Sequence, residues 1–497
     1  MAATTFWPVP SSPTSALQHC PTGISGLDAI TSGGLPRGRT TLVAGGPGCG
    51  KTLLGAEFLV RGVDMGEPGV FLAFEETAEE LTANVASLGW DLNQLCADGK
   101  LVVDHVKVER ERIDQTGDYD LEALFIRIGF AIDEIGAKRL VLDTLEVLFS
   151  ALDDTARLRA EMRRLFSWLK SRGVTAIVTA ERGEGSLTRH GLEEYVADCV
   201  ITLDHRVTDQ LAVRRLRIVK LRGSAHGTNE YPFIIEAHGM SVVPVTSFNL
   251  EHEAGTEVVS TGIDGLDGML DKGGWYKGST TMISGASGTG KTTFAAAFAD
   301  AACRRGERCL YLAFEESGAQ LTRNMSSVGM DLERWTKEGL LRIHASRPTQ
   351  LALERHLTTI YQQAEDYQPA VVVVDPISDF TAVGTTVDVK ALLMRIVDFL
   401  KTRQITAVFT SLIHERGSDD PMVSSLIDNW VQLRNIESAG QRDRGIYIQK
   451  ARGMRHSNQI REFEITPDGV LLLDVVAGPG GVLTGRARTA ARGEARA

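Results

Sequence analysis

The chain has 497 residues, 43% of them hydrophobic and 24% charged, and a net charge of −11. This is the composition of a globular protein with roughly two to four domains. The acidic balance counts against nucleic acid as the main partner, because phosphate contacts need a basic surface. No apolar run approaches the ~18 residues of a membrane span, and six cysteines without a CxxC pair favour a reducing cytoplasm over a zinc ribbon or a disulfide framework.

An internal repeat organises the chain. The segment PTGISGLDAITSGGLPRGRTTLVAGGPGCGKT matches STGIDGLDGMLDKGGWYKGSTTMISGASGTGKT, and further matches follow in the same order, such as GVFLAFEET with CLYLAFEES. The spacing between matched residues falls from 240 (Thr52 to Thr292) to 230 (Lys220 to Lys450). The sequence therefore predicts a duplicated domain with small insertions or deletions.

Each copy alternates short apolar runs, such as TTLVAG and RLVLD, with longer helical patterns such as LRAEMRRLFSWLKSR. Continuous apolar runs are typical of strands buried on both faces, and their alternation with helices predicts parallel βαβ units. We expect a flexible arm (1–20), a first domain (21–247), a linker (248–260), a second domain (261–475) and a disordered tail (476–497), whose composition leaves little to bury.

Two Gly-rich loops match GxxxxGK[ST], each between an apolar strand and a helical pattern. GGPGCGKT ends at Thr52 and GASGTGKT ends at Thr292. Such glycines let backbone N–H groups surround a phosphate at a helix N-terminus. Lys51 and Lys291 are expected to reach the β- and γ-phosphates, and Thr52 and Thr292 to bind Mg²⁺. The predicted fold class is therefore α/β, with two tandem RecA-like P-loop NTPase domains, each a mostly parallel sheet flanked by helices.

An aspartate ends a later apolar strand in each copy, Asp143 in RLVLDT and Asp375 in VVVVDP. A carboxylate at this position can hold a magnesium-bound water, which makes both aspartates candidate metal residues. The alternative is an ordinary turn aspartate at the end of a strand. Their matching order after the two P-loops favours the metal interpretation.

A pair of glutamates follows the strands GVFLAF and CLYLAF, Glu75–Glu76 in the first copy and Glu315–Glu316 in the second. Adjacent residues at a strand end point in opposite directions, so one of each pair can polarise an attacking water. We favour Glu75 and Glu315 as the bases. A solvated acidic pair is the alternative.

Basic residues end a strand late in each copy, Lys220 and Arg222 in KLR and Lys450 and Arg452 in KAR. Alternation along a strand puts both side chains on one face. These residues lie far along the chain from the P-loop of their own copy. Their positive charge therefore suggests a finger, meaning a basic side chain that reaches the γ-phosphate of the ATP bound by a neighbouring subunit. The alternative is a charge pair on an edge strand. The finger interpretation requires active sites between subunits, and hence a ring.

Taken together, FEET, TGKT, SLGWDL, KLRGSAHGTNEYPF and EYVADCVI resemble the KaiC family of double-domain ATPases, over about residues 20 to 475. The resemblance implies a double-ring hexamer with ATP at the subunit interfaces. It also implies very slow ATP hydrolysis in the N-terminal ring, and autokinase, autophosphatase and ATPase activities in the C-terminal ring.

The resemblance further assigns nucleotide contacts to each ring by position. The P-loop contacts are Gly48, Cys49, Gly50, Lys51, Thr52 and Leu53 in the first copy, and Gly288, Thr289, Gly290, Lys291, Thr292 and Thr293 in the second. The contacts to a neighbour's ATP are Ser87, Lys220, Leu221, Arg222, Ser224 and His226 in the first ring, and Lys450, Arg452 and His456 in the second.

The phosphorylated Ser-Thr pair of the family corresponds to Ser424 and Ser425 in PMVSSLIDNW. Aligning the repeats places Glu193 and Glu194 opposite these serines. One ring would then carry fixed negative charge where the other could gain about −1.5 to −2 charges per phosphate. The alternative from the residues alone is a pair of exposed helix-start positions that tolerate Ser or Glu.

The chain departs from the family pattern in three places. Val328 stands where clock members stack a Trp near the second nucleotide, Asp419 replaces a Thr before the phosphosite pair, and the tail after Val475 does not resemble the segment that binds the clock's activator. The unlike tail counts against a KaiA-type activator. The resemblance implies as partners further copies of the chain, a KaiB-like clock partner, or output proteins of the response-regulator and histidine-kinase classes.

The leading interpretation is a regulatory ATPase and serine autokinase that uses ATP and Mg²⁺, in the role of a clock or signalling timer. A RecA/RadA-type DNA-handling motor is one alternative, and it would need a basic inner-loop cluster, a zinc ribbon or a helix–hairpin–helix, none of which is evident in the sequence. A nucleotide-gated scaffold without autokinase activity is the other. It requires the same ATP sites, so the sequence does not separate it from the kinase.

Overall fold

The computed structural model describes residues 18–106, 122–149, 155–183, 188, 196–208, 211–244, 255–350, 352–412, 425–438, 441–474, 476–478 and 481–483. The chain forms two compact units, Met1–Val207 with Arg214–Ser247 and Thr208–Val213 with Phe248–Ala497. Ser424, Asp419, Glu193 and Glu194 lie outside the described residues.

The first unit contains a nine-stranded sheet in the order β11-β10-β9-β8-β3-β7-β6-β4-β5. Strand β3 pairs in parallel with β7 and β8, β4 pairs in parallel with β5 and β6, and β10 is antiparallel to β9 and β11. The strands are β3 (Thr40–Gly45), β4 (Gly69–Ala73), β5 (Leu101–His105), β6 (Arg139–Asp143), β7 (Thr175–Glu181), β8 (Cys199–Thr208), β9 (Leu211–Leu221), β10 (Glu230–Glu236) and β11 (Gly239–Val242). A short pair, β1 (His19–Cys20) and β2 (Leu35–Pro36), precedes the sheet.

The helices of the first unit lie between its strands: the first falls between the short antiparallel strands β1 and β2, and the others connect parallel strands of the sheet. They are α1 (Leu27–Ile30), α2 (Lys51–Asp64), α3 (Ala78–Ala86), α4 (Leu92–Ala97), α5 (Glu122–Ile135), α6 (Leu145–Phe149) and α7 (Thr155–Ser171). Helix α3 begins with a capping box, in which the Thr77 side chain accepts from the Glu80 N–H and the Glu80 carboxylate accepts from the Thr77 N–H. This cap fixes the chain direction immediately after Glu75 and Glu76.

The second unit repeats this topology. Its nine-stranded sheet has the order β16-β15-β17-β18-β14-β19-β20-β21-β22. Read from the β5 end, the first sheet has the same order, with β14 in the place of β3 and each later strand in the place of its repeat counterpart. The strands are β14 (Thr280–Gly285), β15 (Cys309–Ala313), β16 (Leu341–Ala345), β17 (Val371–Asp375), β18 (Thr406–Leu412), β19 (Asn429–Ser438), β20 (Gln441–Ala451), β21 (Arg461–Thr466) and β22 (Gly469–Leu472), with the short pair β12 (Val258–Val259) and β13 (Trp275–Tyr276). The helices are α8 (Asp264–Asp267), α9 (Lys291–Arg304), α10 (Gly318–Ser326), α11 (Leu332–Lys337), α12 (Leu353–Tyr367) and α13 (Thr386–Thr402), and Pro348–Gln350 and Ile377–Ala382 form 3₁₀ turns.

The apolar runs of the sequence form the central strands. All six residues of β3 and of β14, and all five of β6 and of β17, are buried. Strands covered on both faces by helices need apolar residues at every position, so they lose the in–out alternation of a half-exposed strand. The α/β class with two tandem RecA-like domains is confirmed.

Secondary structure extends into two segments that the sequence predicted to be irregular. His19 and Cys20 lie in β1, inside the predicted arm, and Val258 and Val259 form β12, inside the predicted linker. Backbone pairing with β2 and β13 orders these residues, although their composition gives little sign of a strand.

The segment predicted to be a disordered tail also contains secondary structure. Strand β23 (Val476–Gly478) pairs antiparallel with β24 (Gly481–Leu483). The Gly, Ala and Arg content of the whole segment leaves little to bury, whereas two paired three-residue strands need only a local backbone register. Within the described part of the chain, no helix is long and apolar enough to cross a membrane.

Candidate functional site: two P-loops with their strand-end acids

The first P-loop joins β3 to α2. Gly48 and Gly50 adopt φ angles of 68° and 102°, a region that residues with a Cβ rarely enter. Lys51, the first residue of α2, is buried, and its Nζ donates to the carbonyls of Gly45 at 2.7 Å and Gly46 at 3.1 Å. The loop therefore holds a desolvated ammonium group at a helix N-terminus, where phosphate oxygens bind favourably.

The second P-loop, between β14 and α9, has the same construction. Gly288 and Gly290 have φ angles of 76° and 100°, and the Lys291 Nζ donates to the carbonyl of Ala286 at 3.0 Å. Burial lowers the pKa of Lys291, and the nearby carboxylates of Asp375 and Glu315 oppose that shift. Binding a phosphate anion would replace part of the solvation that this ammonium has lost.

In the first unit, the predicted metal residues Thr52 and Asp143 are in contact. The Thr52 hydroxyl donates to Oδ2 of Asp143 at 2.7 Å, and the Thr179 hydroxyl donates to its Oδ1. Hydroxyl and carboxylate oxygens are the ligands that Mg²⁺ prefers. This donor set at the end of β6 therefore fits a magnesium ion beside the P-loop.

The second aspartate has a different partner. Oδ2 of Asp375 accepts a hydrogen bond from the buried hydroxyl of Tyr311 at 2.7 Å, and Oδ1 accepts from Thr410. The residue at the position of Tyr311 in the first copy is Phe71. Sequence reasoning missed Tyr311, and the signal was one polar atom, the tyrosine hydroxyl in CLYLA against the phenylalanine in GVFLA.

The two glutamates of the first pair point to different neighbours. Oε1 of Glu75 accepts from the Thr144 hydroxyl at 3.2 Å, next to Asp143. Glu76 instead accepts from Nδ2 of Asn84, on α3, at 3.3 Å. Glu75 is therefore the member of the pair that contacts the residue next to the candidate metal residue Asp143. Strand β4 ends at Ala73, so a bend after the strand, and not alternation along it, separates the two glutamate side chains.

The second pair divides in the same way. Glu316 accepts from Nδ2 of Asn324 at 3.3 and 3.2 Å. Burial, and then the carboxylates of Asp379 and Asp375, raise the pKa of Glu315. Asp379 is a second residue that sequence reasoning missed, and its only signal was an acid four positions after Asp375 in DPISD.

Comparisons with known proteins agree with this geometry. The family model described as "ATPase: KaiC" matches residues 20–247 and 259–475. The chain is 52% identical over 479 residues to the circadian clock protein KaiC2 of Synechocystis sp., covering 95% of this chain and 84% of that protein. It is 37% identical over 489 residues to KaiC3 of the same organism, covering 97% of each, and 37% identical over 461 residues to the circadian clock oscillator protein KaiC of Synechococcus elongatus, covering 91% and 89%.

The chain belongs to the KaiC family. It is thus a nucleotide-binding P-loop ATPase with two copies of the KaiC ATPase domain. The interpretation from the sequence is confirmed at this level.

In the second KaiC domain, the basic residues at the end of β20 contact the segment that contains Ser425. The Lys450 Nζ donates to the carbonyl of Ile427 at 2.6 Å, and Nη2 of Arg452 donates to the carbonyl of Ser425 at 2.8 Å. Nη1 of Arg452 also lies 3.6 Å from Oδ1 of Asp428. Burial and the charge of Arg452 lower the pKa of Lys450. Half of the Arg452 side chain and the Ser425 residue are exposed, so both can meet a further molecule.

The first KaiC domain has a matching arrangement. Nη1 of Arg222 lies 3.7 Å from Oδ1 of Asp198, and 53% of the Arg222 side chain is exposed. The backbone N–H of Arg222 donates to the Asp198 carbonyl at 3.0 Å. Leu221 ends β9 and is buried, Ser224 donates to the carbonyl of Ala225 at 3.3 Å, and His226 is partly exposed.

The remaining predicted nucleotide residues lie on the P-loops or on the surface. Ser87 caps the C-terminus of α3 and donates to the Asn84 carbonyl, and a ring nitrogen of His456 lies 3.1 Å from the Ser457 carbonyl. Cys49 is buried, and burial raises the pKa of its thiol. Leu53 lies in the first turn of α2 and Thr293 in the first turn of α9. The Thr289 hydroxyl donates to the Ala286 carbonyl. These positions remain proposals as nucleotide contacts.

Proposed function

We propose that this KaiC-family ATPase hydrolyses ATP in both domains, and that it transfers phosphate from ATP in its second domain to Ser424 and Ser425 of an adjacent copy. Mg²⁺ would be held by Thr52 and Asp143 in one site and by Thr292 and Asp375 in the other. The working form is a cytoplasmic double-ring hexamer. Because the relatives are named circadian clock proteins, a clock or signalling timer is the proposed role.

The observation that carries this proposal is the contact between Arg452 and the Ser425 carbonyl at 2.8 Å. Arg452 is the candidate finger for a neighbour's γ-phosphate, and Ser425 is the candidate acceptor. Since both belong to one exposed edge of the second domain, a nucleotide that approaches the finger also approaches the acceptor hydroxyl. Phosphoryl transfer depends above all on that proximity.

The proposed reaction needs few protein groups. The serine Oγ attacks the γ-phosphorus of ATP, the bond to the bridging oxygen breaks, and ADP leaves. The serine proton passes to a base, for which Glu315 is the candidate. Lys291 and Arg452 would balance the negative charge that spreads over the transferring group. The reverse transfer to ADP, or attack by water, would remove the phosphate and account for autophosphatase activity.

The proposal is tested by incubating the full chain with Mg-ATP and mapping phosphopeptides by mass spectrometry. We expect phosphate on Ser424 and Ser425, none in a Lys291→Ala variant, and retained phosphate in a Lys51→Ala variant that still assembles. Phosphate found only elsewhere, or none after long incubation of an active hexamer, would rule out the autokinase. The nucleotide-gated scaffold would then be the better interpretation.

A further inference from the structure

A cavity of about 490 Å³ opens in the second unit between α9 and the β21–β22 hairpin. Ala297 and Ala301 of α9 form one wall, and Asp468 and Val470 of the hairpin form another. Its volume lies within the range of about 300 to 1,000 Å³ that is usual for small-molecule sites. The first unit explains what this cavity is shaped to hold.

In the first unit, two side chains of α2 occupy the corresponding place. Oε2 of the buried Glu57 accepts from the backbone N–H of Met240 at 2.7 Å. Nη2 of Arg61 donates to the carbonyl of His238 at 2.9 Å, and lies 3.3 Å from Glu57. An internal ion pair thus fastens the β10–β11 hairpin to the helix that follows the P-loop.

The second unit has the same backbone without that ion pair. Ala297 and Ala301 stand at the same distance along the chain from Lys291 as Glu57 and Arg61 from Lys51. Val470 pairs with Ile465 as Met240 pairs with Ile235, so its N–H faces α9 in the same way. The methyl group of Ala297 cannot accept a hydrogen bond, so α9 offers this N–H no counterpart of the Glu57 carboxylate.

The rim of the cavity carries charges of both signs. Asp468, at the position of His238, and Asp264 are exposed acids. Arg304 pairs with Asp300 at 2.8 Å, and Arg305 pairs with Glu307 at 2.9 Å. Because both arginines are already paired, the two acids are the charges that remain for a ligand, and they favour a cationic group. The Val470 N–H adds a place for an acceptor, so a molecule with a carboxylate near a cationic nitrogen matches the lining.

We propose that this cavity binds a small zwitterion of the amino-acid class. Its carboxylate accepts from the Val470 N–H, as Glu57 does from Met240 in the first unit. Its cationic group pairs with Asp468, near the hairpin turn where Arg61 lies in the first unit. The bound molecule would fasten the hairpin to the P-loop helix through a removable ion pair, where the first unit has a permanent one. This binding does not depend on the proposed kinase activity.

L-arginine is a suitable probe, titrated into the full chain by calorimetry. We expect one molecule per chain. Agmatine, which lacks the carboxylate, should bind at least about tenfold more weakly, because the Val470 N–H then loses its acceptor. Equal binding of agmatine, or no heat from L-arginine, would overturn the proposal.

Two variants locate the site. Ala297→Glu with Ala301→Arg installs the ion pair of the first unit and should abolish binding. Asp468→Asn, an exposed change that leaves the core intact, should weaken binding at least about tenfold. Asp474→Asn removes an exposed acid that does not line the cavity, and should leave the affinity unchanged. L-arginine binding that survives the double substitution or Asp468→Asn would place the ligand elsewhere and refute the assignment.

Discussion

The hydroxyl of Tyr311 donates a hydrogen bond to Oδ2 of Asp375 across 2.7 Å, in the interior of the second unit. In the first unit the same carboxylate oxygen, on Asp143, accepts from the P-loop residue Thr52. Phe71 replaces the tyrosine there. In both units a threonine of the neighbouring strand donates to Oδ1 of the aspartate. The two sites therefore differ in the group that donates to Oδ2, a residue of strand β15 in the second unit and the first turn of helix α2 in the first.

Tyr311→Phe should lower the free energy of unfolding of the second unit by about 1 to 3 kcal/mol, because a buried carboxylate loses a donor. Denaturant melts would measure the change. Tyr276→Phe removes a hydroxyl that donates to the Gly453 carbonyl at the surface, and should cost less than about 0.5 kcal/mol. Equal costs for the two variants would contradict the role of the buried hydrogen bond.

Glu75→Gln combined with Glu315→Gln should reduce ATP turnover by about 10² to 10⁴, the usual cost of losing a positioned base. Phosphate release assays measure it. Glu76→Gln with Glu316→Gln is the matched control, since these side chains accept from Asn84 and Asn324. If the control pair loses more activity than the test pair, the assignment of the bases is reversed.

Saturating Mg-ATP should convert the protein to a hexamer, six times the chain mass of 53.9 kDa, because the candidate fingers are proposed to contact a neighbour's nucleotide. Multi-angle light scattering measures the mass. Arg222→Ala with Arg452→Ala should shift the population toward smaller species, whereas the exposed Arg163→Ala should not. A monomer at saturating ATP would exclude active sites between subunits.

Asp428→Asn should destabilise the second unit by about 1 to 3 kcal/mol near neutral pH. Burial alone would raise the pKa of Asp428, but hydrogen bonds from Lys401 and Thr280 hold it below its usual value. A depressed pKa adds stability above the unfolded-state value of about 4, and that stability is lost as the pH falls through the folded-state value.

The difference in stability between the Asp428→Asn variant and the parent protein should therefore become smaller in acid. Melting temperatures compared at pH 7 and below pH 4 test this expectation. Asp366→Asn, at an exposed position of α12, should show no such pH dependence. A difference in melting temperature between Asp428→Asn and the parent that does not change with pH would mean that Asp428 stabilises the unit through its shape and not its charge.

The features that the sequence predicted well are contiguous or periodic. A P-loop is eight consecutive residues between a strand and a helix, and β17 is a run of four valines before Asp375. Such local patterns determine the backbone almost alone, so the fold class and the two nucleotide loops could be predicted.

The features that the sequence did not predict depend on packing between distant segments. The Met240–Glu57 hydrogen bond spans 183 residues, and the Tyr311–Asp375 bond spans 64. A buried glutamate or tyrosine in the sequence does not indicate which distant residue it will contact. The cavity beside Ala297 could be interpreted only by comparing the two units, because its alanine is informative only once Glu57 is seen at the same position of the first unit.

The contact of Arg452 with the Ser425 carbonyl has a consequence for timing. A phosphate on Ser425 would add about −1.5 to −2 charges beside this guanidinium, and a charge-assisted pair between them would compete with a neighbour's nucleotide for the same cation. Under the proposed autokinase function, each transfer would therefore weaken the contact that enabled it. Such a self-limiting step would slow the following transfer and so delay the reaction cycle.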